Sequence, residues 1–238
     1  MLTPDALAAS GIGKETALAF AEAGVEGTII DECRKFSKHP KFRVVPVQTD
    51  VADEDSDTKM VEIAVKEFGR IDYCVHSAGR GNTSGARTEH LNIEVFDKTL
   101  AVNARGTMLV LRAVSATMAQ QEPRTHQSSR HPESTRSLGR GSIVTIASVN
   151  GNVAAPGMMA YSASNYAAIG IAKTATSIER FSPLAKVIEN KAPLGRAALP
   201  EEIADVAMFL CRPVASYMNG ASLIVDAGLT LPALRNSL

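Results

Sequence analysis

The chain has 238 residues, 45% of them hydrophobic, and its 25 lysines and arginines balance 25 aspartates and glutamates. This length and composition indicate one α/β domain with one core. The absence of net charge argues against nucleic acid or an acidic membrane surface as a partner.

The cysteines and the amino-terminal sequence bear on the compartment. The three cysteines lie far apart, which predicts reduced thiols and argues against a disulfide framework or a metal site. The first residues have neither the basic region nor the apolar core of a secretion signal. No apolar run approaches the roughly 20 residues that cross a bilayer. We therefore expect a soluble, cytoplasmic protein that binds no membrane.

The first readable element is a helix that begins with glycines. Ser10 precedes Gly11, Ile12 and Gly13, and apolar residues then recur at helical spacing to about residue 23. Glycines at a helix N-terminus let backbone N–H groups approach a phosphate, and the helix dipole favours its negative charge. Two glycines alone are a weak signal for such a site. Because few residues precede this helix, we expect no strand before it.

Two short strands are predicted next, at residues 28–30 and 43–48. Asp31 follows the first of them, where an acidic side chain would bond a ribose hydroxyl; a solvated loop acid is an equally good interpretation. The basic segment between the strands is too short for a full crossover helix. Its positive charges suit either the 2′-phosphate of NADP or a solvated turn.

A helix at residues 53–68 and a strand at residues 71–75 follow. Asp50 and Val51 precede the helix, and an aspartate there is typically a helix cap. The strand ends in His76, Ser77, Ala78 and Gly79. A histidine at a strand end is more typical of a structural donor than of a catalyst, so we assign it no chemical role.

A long helix is predicted at residues 93–119, with Asn103 inside it. Residues 120–140 are polar, carry four arginines and show no apolar periodicity, which predicts a flexible loop. This tract follows a helix and precedes a strand, so we place it at the amino-terminal edge of the sheet, opposite the ligand crevice. Four isolated arginines are weak support for nucleic-acid binding.

A buried strand at residues 142–147 brings Ser148 to the carboxyl edge of the sheet, where open α/β sheets bind ligands. Tyr161 lies in the first turn of the next helix, at residues 161–178, and can return to the same edge. Residues 179–200 contain no strand-like run. A helix at residues 201–211 and a strand at residues 221–226 complete the pattern.

This stretch resembles the active site of the short-chain dehydrogenase/reductase family, in which a serine after a strand precedes Tyr-x-x-x-Lys. The matching residues are Ser148, Tyr161, Ser162, Ala163 and Ser164, whereas Asn165 stands in place of the lysine. The resemblance implies a Rossmann-like, doubly wound parallel sheet in a single domain, residues 1–238. Judged against the family, the chain is shortened and lacks the first and sixth strands. The 120–140 tract and the carboxyl-terminal Asp-Ala-Gly-Leu-Thr resemble those of fungal members, many of them in secondary metabolism.

The resemblance also implies a nicotinamide cofactor, NADP or NAD. In the family, the Asp-Val pair accepts a hydrogen bond from the adenine amino group, and a strand-end glycine lets the backbone pass the ribose. An asparagine at a local distortion of the long helix holds a water beside the catalytic lysine. The implied cofactor contacts are Ser10, Gly11, Ile12, Gly13, Asp31, Asp50, Val51, Ala78, Gly79, Asn103, Tyr161 and Asn165.

The implied activity is reduction of a small-molecule carbonyl or oxidation of an alcohol. Tyr161 would be the general acid/base, Ser148 would orient the carbonyl, and Asn103 would hold the water. A free phenol, with a pKa of about 10, needs an adjacent positive charge to act as a base, which Asn165 does not supply. The alternative is an impaired or inactive relative that acts as a dimerising or nucleotide-binding protein. The small residues of the 161–178 helix are typical of a homodimer or homotetramer contact.

Overall fold

A computed structural model describes residues 11–22, 43–81, 87–127, 133, 135–175, 178–180, 198–216, 218 and 221–226. The strand predicted at residues 28–30, the segment before Gly11, and the cofactor residues Ser10 and Asp31 lie outside these residues.

Helices and strands alternate along most of the described chain. The helices are α1 (Gly11–Glu22), α2 (Glu54–Phe68), α3 (Ile93–Leu100), α4 (Thr107–Ala119), α5 (Met159–Ala175) and α6 (Pro200–Cys211), and a π-helical turn (Ala101–Gly106) joins α3 to α4. The strands are β1 (Tyr73–His76), β2 (Arg124–Gln127), β3 (Thr135–Gly139), β4 (Ser142–Ala147), β5 (Ile178–Arg180) and β6 (Ser222–Leu223). Short 3₁₀ turns occupy Thr88–His90, Val149–Gly151 and Pro213–Ala215.

The main sheet has the strand order β1-β4-β5-β6, and its neighbouring strands are parallel. Tyr73 pairs with Ser142 and His76 pairs with Thr145, so the carboxyl ends of β1 and β4 lie side by side. Since parallel strands share one carboxyl edge, the residues that follow β1 and β4 meet there.

Both faces of this sheet are covered by helices. On one face α1 packs against α6 over a cluster that includes Val75, Val144 and Met208. On the other face α2, α4 and α5 cover Cys74 and Ile143. Burial on both sides explains why β1 and β4 are almost continuously apolar rather than alternating. The doubly wound α/β fold predicted from the sequence is confirmed.

The prediction that the sixth strand is missing was wrong. Residues 178–180 form β5, which pairs in parallel with both β4 and β6. The helix before it ends at Ala175 rather than near residue 178. A strand of three residues, two of them charged, has no periodicity to detect; its two partner strands define it.

One further expectation about secondary structure was also wrong, and another stays a prediction. Residues 43–48 pair with no strand among the described residues, but the neighbour predicted for them lies outside that part of the chain, so their pairing stays a prediction. Within the 120–140 tract, β2 and β3 form an antiparallel pair. Backbone hydrogen bonds hold such a pair without an apolar face, so the composition of the tract did not reveal it.

The cap of α2 is Asp53, not Asp50. The Asp53 side chain accepts a hydrogen bond from the Ser56 N–H, and Gly69 ends the helix at φ +80°, where its N–H donates to the Val65 carbonyl. Asp50 instead accepts the Ala52 N–H at 2.9 Å. The predicted cap was three residues too early because both positions carry an aspartate.

One carboxyl in the first turn of α2 is buried without a partner. The Asp57 residue is 1% exposed, and neither side-chain oxygen has a hydrogen-bond partner among the described residues. Burial, followed by the negative charges of Asp50 and Asp53, raises the pKa of Asp57 to about 7, against a lowering contribution from Arg105. Ionising this carboxyl therefore costs free energy in the folded state only.

We predict that Asp57→Asn stabilises the protein, and more so at pH 8 than at pH 5. The unfolded carboxyl ionises near pH 3.8 and the folded one near pH 7, so its destabilising contribution grows as the pH rises across that window. The difference between the two gains should be about 1–3 kcal/mol in the free energy of unfolding, measured by urea denaturation. Asp55→Asn, at an exposed position of the same helix, is the control. Equal gains at both pH values would contradict the assignment.

Candidate active site

Ser148 directly follows β4 at the carboxyl edge of the sheet and is fully buried. Its Oγ accepts the Asn150 N–H at 3.1 Å, which starts the Val149–Gly151 turn. A hydroxyl that accepts this bond can still donate its own proton to another oxygen. The turn thus fixes the serine oxygen in place.

The turn after Ser148 packs directly on α5. A Cβ on Gly151 would lie 2.8 Å from the Asn165 carbonyl oxygen, so only glycine fits there. The Tyr166 hydroxyl donates to the Asn152 carbonyl at 2.5 Å. Tyr161, in the first turn of α5, is 8% exposed. The segments that carry the serine and the tyrosine are therefore fixed against each other.

Asn103 lies in the π-helical turn and is 5% exposed. Its Oδ1 accepts the Arg80 N–H at 2.6 Å, and its Nδ2 donates to the Arg80 carbonyl at 2.9 Å and to Ser164 Oγ at 3.0 Å. Ser164 Oγ in turn donates to the Tyr161 carbonyl at 2.9 Å. One side chain thus ties the segment after β1 to the tyrosine helix.

The local distortion expected at Asn103 is present, so the predicted single helix at residues 93–119 is two α-helices joined by a π-turn. Ser164 belonged to the family match, but its link between Asn103 and Tyr161 was missed. The signal was its spacing of three residues from Tyr161, which puts both on the same side of α5.

His76 is fully buried at the end of β1, and its Nε2 lies 3.1 Å from Thr107 Oγ1. Thr107 Oγ1 already donates to the Asn103 carbonyl at 2.7 Å, so Nε2 carries the proton and donates to it. Nδ1 has no partner among the described residues. Burial lowers the pKa of His76 to about 4, so the ring is neutral at physiological pH. These contacts are those of a structural donor.

Asn165 occupies the position of the family lysine and is 6% exposed. Its Nδ2 donates to the Tyr161 carbonyl at 2.8 Å, one turn back along α5. The amide is thus partly engaged within its own helix, and it brings no charge to the tyrosine.

The π-turn also contacts the two loops expected to bind a cofactor. A Cβ on Gly106 would lie 2.8 Å from the Val51 carbonyl oxygen, and a Cβ on Gly79 would lie 3.7 Å from Asn103 Oδ1. Val51 is fully buried, whereas Asp50 is exposed beside it. Asn103 and Gly106, three residues apart on the π-turn, thus contact one loop each.

The other expected cofactor residues are placed as follows: Gly11, Ile12 and Gly13 form the first turn of α1, and Ala78 is buried after β1. Together, the residues expected to contact the cofactor fit a nicotinamide dinucleotide. They combine an exposed carboxylate at Asp50, a small-residue backbone at Ala78 and Gly79, and a helix N-terminus for phosphate. The neutral Asn165, in place of the family lysine, is a departure from the family pattern.

Comparisons with known proteins identify the family. Residues 7–178 match the family model described as short chain dehydrogenase, and residues 170–230 match the one described as enoyl-(acyl carrier protein) reductase. The short-chain dehydrogenase srdC of Neurospora crassa is 36% identical over 264 residues, covering 95% of this chain and 96% of that protein. The short-chain dehydrogenase fogB of Aspergillus ruber is 38% identical over 261 residues, covering 94% of each.

Among solved structures, a short chain dehydrogenase from Bacillus anthracis has a TM-score of 0.75 at 24% identity and covers 94% of each chain. It shares the fold. With the family match and the fungal relatives, this places the chain in the short-chain dehydrogenase/reductase family of NAD(P)-dependent oxidoreductases. The resemblance on which the sequence interpretation depended is confirmed. In the described part of the chain, no helix has the length and apolar character of a membrane span.

We predict that His76→Asn changes the acid sensitivity of the protein. The unfolded imidazole takes up a proton near pH 6.5 and the buried one only near pH 4, so His76 removes stability as the pH falls through that window. Relative to wild type, the variant should gain about 2–3 kcal/mol in unfolding free energy between pH 7 and pH 4.5. His90→Asn, at an exposed position, is the control. A constant difference between His76→Asn and wild type would argue against a buried neutral ring.

Proposed function

We propose that this protein reduces a small-molecule carbonyl compound with NADPH or NADH, or oxidises the corresponding alcohol, in fungal secondary metabolism. Tyr161 is the general acid/base and Ser148 orients the carbonyl. The observation that carries the proposal is the fixed Ser148 hydroxyl, which accepts the Asn150 N–H at 3.1 Å. Such a hydroxyl can donate its proton to a substrate oxygen, next to the segment that carries Tyr161. The pathway is suggested only by the fungal relatives.

The cofactor, when bound, supplies or accepts the hydride. The exposed Asp50 carboxylate would accept a hydrogen bond from the adenine amino group, since the Ala52 N–H bonds only one of its oxygens, Oδ1. The backbone at Ala78 and Gly79 would pass beside the ribose. The first turn of α1, with Gly11 and Gly13, would face the phosphates. Ser10 and Asp31 remain proposed contacts on the family pattern alone.

During reduction, Tyr161 donates its phenolic proton to the carbonyl oxygen as negative charge develops on it. Ser148 donates a hydrogen bond to the same oxygen and holds it in line, which stabilises that charge. Asn103 is proposed to hold a water, as in the family, through the second lone pair of its Oδ1. Its bonds to Arg80 and Ser164 also position the tyrosine helix.

Asn165 determines whether the enzyme favours carbonyl reduction or alcohol oxidation. A neutral phenol is ready to donate a proton, whereas an alcohol substrate needs a phenolate to accept one. An adjacent ammonium that lowered a phenol pKa by about 2–3 units would be worth about 3–4 kcal/mol. The amide of Asn165 lacks that charge, so we expect reduction to be impaired less than oxidation.

Replacing Asn165 by Lys tests whether a cation at this position activates Tyr161 for catalysis. We predict that Asn165→Lys raises alcohol oxidation by about a hundred- to a thousandfold in kcat, since it restores a cation beside the phenol. In that background Tyr161→Phe should abolish the gain. Ala163→Lys, at an exposed position of the same helix, adds the same charge elsewhere and is the control.

Binding must be measured in parallel with turnover. Thermal shifts with NADPH and NADH report cofactor binding independently of any substrate. If Asn165→Lys binds cofactor and still shows no gain on a panel of carbonyls and alcohols, the assigned role of position 165 is refuted.

The engaged amide of Asn165 favours one second candidate, a nucleotide-binding homodimer or homotetramer without turnover. The outer side of α5 suits such contacts: Met159 and Tyr166 are 42% and 48% exposed there, and Ala163 and Gly170 lie exposed on the same side. Small residues between larger apolar ones allow two helices to approach closely. Cofactor binding without turnover on any substrate would select this candidate.

Self-association through α5 can be tested at Gly170. A Cβ there meets nothing within 4 Å in the single chain, so a larger side chain costs it no packing. We predict that Gly170→Arg dissociates the oligomer to monomers in analytical ultracentrifugation. Glu62→Arg, on the exposed side of α2, should leave the mass unchanged. An unchanged mass for Gly170→Arg would exclude this helix from the contact.

A further inference from the structure

A cavity of about 420 Å³ lies at the amino-terminal edge of the sheet, opposite the edge that carries Ser148. The starts of β1 and β4 form its floor, the ends of α4 and α6 form two sides, and β3 with the start of β2 forms a third. The β2–β3 pair of the arginine-rich tract, for which the proposed function has no use, therefore borders this cavity. That volume falls within the range of about 300–1,000 Å³ typical of small-molecule sites.

The lining of the cavity is mixed, with an apolar part and a polar part. The apolar part includes Met118, Ile143, Val144 and Cys211, each 5% exposed or less. An apolar group seated against these residues would be removed from water, which favours binding.

The lining carries an excess of positive charge. Its cations are Arg124, Arg140 and Arg212, and its one carboxylate is Asp72. Asp72 is already paired with Arg70 outside the lining, at 2.8 Å. In a chain with no net charge, this concentration of guanidinium groups favours an anionic ligand.

Arg124 is held in place before any ligand arrives. Its Nη1 donates to the Tyr73 hydroxyl at 2.8 Å, and its guanidinium carbon lies 5.1 Å from the centroid of that ring. Asp72 Oδ1 is 3.7 Å away, beyond hydrogen-bond distance. The remaining N–H donors of a guanidinium fixed in this way can bind a carboxylate at little further entropic cost.

Helix ends offer a simpler reason for the arginines, since α4 and α6 both end at the cavity and cations are stabilised at helix C-termini. Arg212, which caps α6, is explained in that way. Arg124 and Arg140 lie on the β2–β3 side and do not belong to either helix. Nor does charge compensation call for a cavity with a partly apolar lining beside these residues.

We propose that this cavity binds a small amphipathic carboxylate, with its apolar body against Met118 and Ile143 and its carboxylate among the three arginines. The site is separate from the cofactor crevice and does not depend on the proposed catalytic activity.

Decanoate is the probe, with 1-decanol and decylamine as neutral and cationic analogues, and isothermal titration calorimetry on the full chain without nucleotide as the measurement. We expect decanoate to bind at least tenfold more tightly than either analogue. The double variant Arg140→Gln/Arg212→Gln should weaken decanoate binding tenfold or more, about 1.4 kcal/mol, and should leave 1-decanol binding unchanged. Both arginines are exposed, so the variant is expected to fold.

A cavity-filling variant locates the site. Ser137→Phe adds a ring to the lining of the cavity, whereas Thr135→Phe adds one to the same strand outside it. Loss of decanoate binding in the first and retention in the second support the proposal. Equal binding of all three probes, decanoate binding that survives Ser137→Phe, or no decanoate binding to the wild type would each overturn it.

Discussion

The arrangement of the site depends on the amide of one side chain. Asn103 uses its oxygen and its nitrogen to bond Arg80 after β1 and Ser164 on α5. The same π-turn packs under Val51 through Gly106. One short segment therefore contacts three others, and it does so from a π-helical turn, a distortion that is frequent at functional sites. The loops expected to bind the cofactor and the helix that carries Tyr161 are thereby fixed relative to one another.

Position 165 differs from the family pattern in charge and in side-chain length, but the helix that carries it is intact. Asn165 is buried, bonds the Tyr161 carbonyl at 2.8 Å and leaves α5 regular. An asparagine in place of the family lysine is therefore compatible with the family fold, and its expected effect is on the electrostatics beside Tyr161.

The sequence predicted what depends on periodicity and on local chemistry. Helix α2 with its terminal Gly69, the buried strand before Ser148, and the helix start near Tyr161 were found because apolar spacing and caps are local signals. Strand β5 was missed because three residues carry no period and only the neighbouring strands define it. The β2–β3 pair was missed for the same reason, and the link through Ser164 depends on a residue sixty-one positions away in the chain.

Two buried titratable groups, Asp57 and His76, carry opposite dependences on acidity. Between about pH 4 and pH 6.5 the folded carboxyl is protonated while its unfolded counterpart is not, and the reverse holds for the imidazole. Proton uptake on unfolding by one group is then offset by proton release from the other, so their joint effect on the folding equilibrium is nearly flat. A substitution that replaced only one of the two groups would therefore make the folding equilibrium depend on pH in this range.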